Sequence, residues 1–126
     1  MKRMGQVKDL KKGKYVVIDE VPCKVVDIQK SKPGKHGSAK ARVTAMGIFN
    51  DQKKQLLKPV DANIEIPEVD RRSGQVVADL GSTYQIMDME TYETFEIKKG
   101  EVQAETGKEV EYIACMGQKQ ITRTKG

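Results

Sequence analysis

Apolar positions along this chain come in short alternating runs and nowhere sustain the 3.6-residue spacing of a long helix. In "KYVVIDEVPCKVVDI" two β-branched runs, residues 15–18 and 23–28, are broken by Asp19-Glu20 and Pro22, which predicts a hairpin. In "AKARVTAMGIF", Ala41, Val43 and Ala45 alternate with Arg42, Thr44 and Met46, the period of a half-exposed strand. "KQLLKPV" and "ANIEIPEV" read as further strands, with Pro59 and Pro67 at their ends or edges, where a missing N–H does least harm.

Beyond Pro67 the pattern repeats in different residues. "GQVVADLG", "TYQIMDM", "TFEIKKG" and "EVEYIACMGQKQITRT" predict four or five strands, separated by Ser73-Gly74, Gly81-Ser82, residues 90–93 and Gly107. That is the spacing of a small barrel. "KGEVQAETGKEVE" allows a turn of helix, kept short by Gly100 and Gly107. The absence of an internal repeat favours two different small β-barrels, residues 1–68 and 69–126, over a duplication. The predicted fold class is all-β.

Charge divides the chain at the same place. The net charge is +5 over 126 residues, yet residues 1–68 carry fifteen Lys or Arg against eight Asp or Glu, a balance of +7. Residues 69–126 carry eight against ten, a balance of −2. The first half therefore suits a polyanionic partner, and the second half is not expected to bind RNA strongly by itself. Its aromatic residues Tyr84, Tyr92, Phe95 and Tyr112 are expected mostly in the core, and Arg71 and Arg72 on an exposed turn before Ser73-Gly74. An apolar fraction of 37% beside 33% charged residues predicts a folded chain with a modest core.

Cys23 and Cys115 belong to no Cys-x-x-Cys pair and lack a histidine at ligand spacing, so they read as small buried hydrophobes; a disulfide between them is the less favoured alternative. No metal site is expected. The basic start lacks an apolar signal-peptide core, and no apolar run approaches the ~20 residues of a membrane span. A cytoplasmic protein without a membrane partner is expected.

The densest positive charge lies in "QKSKPGKHGSAKAR", residues 29–42, between two predicted strands. Pro33 presets φ and Gly34 accepts conformations closed to other residues, a pairing that builds a tight turn and pushes Lys35 outward. Gly37 lets the chain return. Lys30, Lys32, Lys40 and Arg42 flank that tip as candidate phosphate contacts, giving salt-sensitive affinity with little sequence preference. A solvated turn rich in lysine is the competing reading.

Catalytic patterns are scarce. The one histidine, His36, has no carboxylate near it in sequence to orient an imidazole. "PGKHG" falls short of a phosphate-binding loop, because Lys30 and His36 stand where that motif needs Gly and Ser or Thr. No catalytic residue is assigned.

"SKPGKHGSAKAR" closely resembles the loop of the archaeal and eukaryotic translation initiation factor 5A family, which is related to bacterial elongation factor P. The resemblance continues through "GIF", "VDRRSGQVVADLG", "YQIMDMETYETFEI" and "EVEYIACMGQKQITR", nearly the whole chain. It implies an SH3-like barrel over residues 1–68 followed by an OB-fold over 69–126. It also implies that Lys35 accepts an aminobutyl group derived from spermidine, transferred by deoxyhypusine synthase, to give deoxyhypusine or hypusine. No other cofactor is implied.

By the same resemblance the partners are the ribosome, its rRNA and the peptidyl-site tRNA. The longer two-amine arm on Lys35 would steady the acceptor end while slow peptide bonds form, notably at proline-rich stretches. His36 joins Lys30, Lys32, Lys40 and Arg42 among the RNA-facing positions, and Pro33, Gly34 and Gly37 shape the loop. Two features look archaeal: Ser38, where eukaryotic relatives often have histidine, and a chain that stops soon after Arg123. Two other readings remain at the level of sequence: an unmodified RNA-binding module of ribosomal or RNA-chaperone type, and, with least support, an enzyme using His36 or Cys23.

Overall fold

The computed structural model describes residues 2–31 and 39–125. The chain forms two compact units, Met1–Glu68 and Val69–Gly126, and both are built from strands. The structure is all-β, as the alternating pattern predicts.

The first unit holds β1 (Lys2–Gln6), a single 3-10 turn (Val7–Asp9), β2 (Tyr15–Ile18), β3 (Val21–Ser31), β4 (Lys40–Gly47), β5 (Lys53–Pro59) and β6 (Asn63–Pro67). The sheet runs β1-β6-β2-β3-β4-β5, with every neighbouring pair antiparallel. It curls around one core of Val7, Leu10, Val16, Ile18, Cys23, Val25, Ala41, Val43, Ala45 and Ile64. The alternation in β4 appears directly as burial, with Ala41, Val43 and Ala45 inside and Lys40 and Arg42 outside.

Asp19 (φ 52°) and Glu20 (φ 64°) form the two-residue connection of the β2–β3 hairpin. Positive φ at both central positions is the twist that joins antiparallel strands tightly. Pro22, expected to help break the hairpin, instead lies within β3 opposite Val17. It sits one residue from the strand's start, and its carbonyl accepts from the Ile48 N–H at 2.9 Å. Pro59 and Pro67 are the last residues of β5 and β6.

The second unit holds β7 (Asp70–Asp79), β8 (Thr83–Asp88), β9 (Thr94–Lys98), β10 (Glu109–Cys115) and β11 (Gln118–Lys125), ordered β11-β10-β7-β8-β9. Its core comprises Val76, Tyr84, Ile86, Ile97, Val110, Tyr112 and Ile121, with Phe95 packed edge-on to Tyr112. Tyr92 is the aromatic exception, 70% exposed.

Two expectations about this unit are corrected. Ser73-Gly74 does not separate strands but lies inside β7, where Gly74 faces Ile86 and Tyr112 too closely for a side chain. No helical turn forms between β9 and β10. That segment is tied back by the Ala104 N–H donating to the Tyr84 hydroxyl at 3.1 Å and turns at Gly107, φ +90°. Among the described residues no helix is long and apolar enough to cross a membrane.

Candidate functional site

The basic stretch is carried by the end of the β3–β4 hairpin. Pairing runs from Cys23 opposite Gly47 to Ser31 opposite Lys40, with an irregularity between Val25 and Asp27 that lets Val26 stand out of register. Because side chains alternate across a strand, Cys23, Val25 and Ile28 join Ala41, Val43 and Ala45 on the core side. Gln29–Arg42 and Ser31–Lys40 form successive pairs on the opposite face, which β5 extends with Leu57 beside Arg42 and Pro59 beside Lys40.

Lys30 lies opposite Ala41, and Lys30, Lys40 and Arg42 are all exposed. None of the three forms an ion pair with another described residue. Lys40 and Arg42 thus share the outer face of the paired stem, and Lys30 stands on the other face at its end. Lys32, Pro33, Gly34, Lys35, His36 and Gly37 lie outside the described residues. The fold sets their flanks, Ser31 and Lys40, directly across from one another.

Cys23 is fully buried, and its thiol donates to the Val21 carbonyl at 3.3 Å. Burial pushes both the Cys23 and Cys115 thiols up, away from the thiolate that nucleophilic chemistry requires. Both are free and buried, as their composition reading anticipated. Among the described residues no group of three or more His, Cys, Asp or Glu is placed to hold a metal ion.

The second unit contains a polar constellation that sequence reasoning missed. Asp88, only 2% exposed, is the single buried charged residue among those described. Arg72, expected on an exposed turn, lies in β7, where its Nε donates to Asp88 Oδ2 at 2.6 Å and its second terminal nitrogen to Oδ1 at 3.1 Å. The Tyr112 hydroxyl also donates to Oδ2, and the Glu90 and Thr91 N–H groups donate to Oδ1 at 2.8 and 3.0 Å.

Those bonds decide the local electrostatics. The Arg72 guanidinium, helped by Tyr112 and the two backbone donors, holds the Asp88 carboxyl well below the usual carboxylate range despite its burial. Burial and then the Asp88 charge push the Tyr112 hydroxyl above its ordinary value. Arg72 is held further into its charged form by Asp88 and Asp70. The cluster is saturated, so it organises structure and offers no free acid or base. The signal available in sequence was the Arg72 and Asp88 pair itself, but sixteen residues and a hairpin separate them.

Comparison with known proteins places this geometry in context. A family model described as "Translation initiation factor 5A-like, N-terminal" matches residues 3–62. Translation initiation factor 5A of Methanopyrus kandleri is 51% identical over 125 residues, covering 95% of this chain and 92% of its own. The chain belongs to the translation initiation factor 5A family. The Methanocaldococcus jannaschii member is 54% identical over 122 residues, covering 95% of this chain and 92% of its own.

Among solved structures, the "Eukaryotic translation initiation factor 5A from Methanococcus jannaschii" superposes with a TM-score of 0.93 at 51% identity, covering 98% of this chain and 95% of that one. A family member from Naegleria fowleri superposes at 0.81 with 31% identity, over 99% of both chains. The archaeal members are the more similar of these. The chain is thus a translation factor of two small β units.

Proposed function

We propose that this translation factor binds the ribosome in the cytoplasm and reaches the peptidyl-site tRNA with a deoxyhypusine- or hypusine-modified Lys35. The observation that carries the reading is the pair of exposed cations, Lys40 and Arg42, on one face of the stem that flanks residues 32–38, with exposed Lys30 on its other face and none of the three ion-paired to another described residue. These cations attract RNA backbone, together with Lys32 and His36. Lys35 is a point charge on a four-carbon stem, and an added aminobutyl arm from spermidine, attached by deoxyhypusine synthase, gives it greater length and a second amine. The role is positioning: holding the tRNA acceptor end lowers the entropic part of the barrier to slow peptide bonds, notably between prolines. The ribosome performs the chemistry.

Peptide mass spectrometry of protein from its native source tests the modification, with an aminobutyl addition on Lys35 expected. Lys35→Arg keeps the charge but cannot accept the arm, so translation of proline-rich messages should fall while affinity for bulk RNA barely changes. Equal defects from Lys35→Arg and Lys40→Arg would instead favour the unmodified RNA-binding module.

A further inference from the structure

The turn between β8 and β9, residues 88–93, is built at unusual expense for a surface loop. The Asp88 carboxylate spends two acceptor positions on the Glu90 and Thr91 N–H groups. The Asp88 main chain closes the turn, accepting from the Tyr92 N–H at 2.9 Å and donating to the Glu93 carbonyl at 2.9 Å. Arg72 and Tyr112 hold that carboxylate from below. The result fixes Tyr92 at φ +61°, a left-handed conformation that bulky residues seldom adopt.

What this scaffold presents is a large apolar ring in water. Tyr92 is 70% exposed and Met89 40% exposed, although a glycine or asparagine at position 92 would satisfy the backbone more easily. Strain retained at an exposed position, with a rigid support beneath it, is a feature of binding and switch sites. Tyrosine is also among the residues that dominate interface energetics, because a preorganised aromatic loses little entropy on docking. The flanking charge selects the partner. The turn reads Asp-Met-Glu-Thr-Tyr-Glu with no basic residue, and Arg72 beneath it is engaged by Asp88, Asp70 and Glu90. Phosphate would be repelled, whereas lysine and arginine would pair with Glu93 and lay their aliphatic stems and cationic heads against the ring.

We propose that the 88–93 turn docks on a lysine- and arginine-rich protein surface of the ribosome, with Tyr92 and Met89 entering between basic side chains. The inference rests on the ribosome-binding reading above and assigns the second unit a protein contact, while the first unit contacts RNA.

Purified archaeal ribosomes are the probe. Tyr92→Gly removes the ring and relieves the positive φ, so it should leave the fold as stable or more so while weakening ribosome affinity about tenfold. Glu93→Lys should weaken affinity as well. A benzophenone amino acid at position 92 should give a ribonuclease-resistant adduct mapping to a Lys/Arg-rich protein segment. Unchanged affinity of Tyr92→Gly on ribosomes that bind the wild type overturns this inference alone. Tighter binding by Glu93→Lys, or an adduct on rRNA, also overturns it by making the partner RNA. Failure of the wild type to bind ribosomes overturns both readings.

Discussion

Arg72 grips Asp88 through two hydrogen bonds, at 2.6 and 3.1 Å, while keeping about a quarter of its own side chain in solvent (24%). The pair joins the middle of the second unit's sheet to the turn that carries Tyr92. Removing the buried partner leaves Arg72, the Tyr112 hydroxyl and two backbone N–H groups without their shared acceptor. Breaking a buried pair costs about 3–5 kcal/mol, and the partial exposure of Arg72 puts this case toward the low end. Asp88→Ala should therefore destabilise the second unit by about 3 kcal/mol in denaturant unfolding, while amide exchange in the first unit's β3–β4 hairpin stays unchanged.

The same pair predicts an acid limb. Because the folded-state pKa of Asp88 is depressed, its stabilising contribution is present above the unfolded value of about 3.9 and is lost as pH falls toward the folded value. The melting temperature of the second unit should drop below about pH 4, and Asp88→Asn should flatten that drop at the expense of stability near neutrality. On the alkaline side the sign reverses. The Tyr112 hydroxyl is raised, so its contribution holds below about pH 10 and is lost as pH rises through the folded value. Tyr112→Phe should flatten the limb above pH ~10 and leave the acid limb in place.

Gly74 gives a steric prediction. A Cβ there would lie 2.6 Å from Ile86 Cγ2, 3.2 Å from the Met87 carbonyl oxygen and 3.4 Å from Tyr112 Cε1. Ile86 and Tyr112 are buried core residues and the carbonyl is backbone, so none can move aside cheaply. Gly74→Ala should cost about 1–3 kcal/mol of stability through overpacking. Gly100→Ala, whose Cβ would meet only Gln120 Nε2 at 3.9 Å, should stay within about 0.5 kcal/mol and serves as the control.

Most strands were legible because one face of each is buried, and burial leaves a period of two in the sequence. Ala41, Val43 and Ala45 show this without ambiguity. The errors fell where long-range pairing overrules local composition. Arg71-Arg72-Ser73-Gly74 has the residues of a turn, but Gly74 is there so that β7 can pass close to Ile86 and Tyr112, and Arg72 so that it can reach Asp88. Lys2–Gln6 forms β1 by pairing with β6, some sixty residues along, and carries no alternating signal of its own. Bulges hide in the same way: Val26 beside Val25 reads as a continuous buried run, yet it is 45% exposed. The basic hairpin end was legible as charge, while the pairing that separates Lys40 and Arg42 from Lys30 needed the register.

That register supports a final prediction about the RNA contact. Lys40 and Arg42 lie two residues apart on one face of β4, so both can reach the same phosphate backbone. If each neutralises one phosphate, binding of unmodified protein to tRNA should depend on salt through both. Each of Lys40→Gln and Arg42→Gln should lower the slope of log affinity against log salt by about 0.7–0.9, and the double variant by about twice that. Lys108→Gln, an exposed lysine in the turn before β10, should leave the slope unchanged. Equal reductions from all three would mean that net charge alone, and not the hairpin face, attracts the RNA.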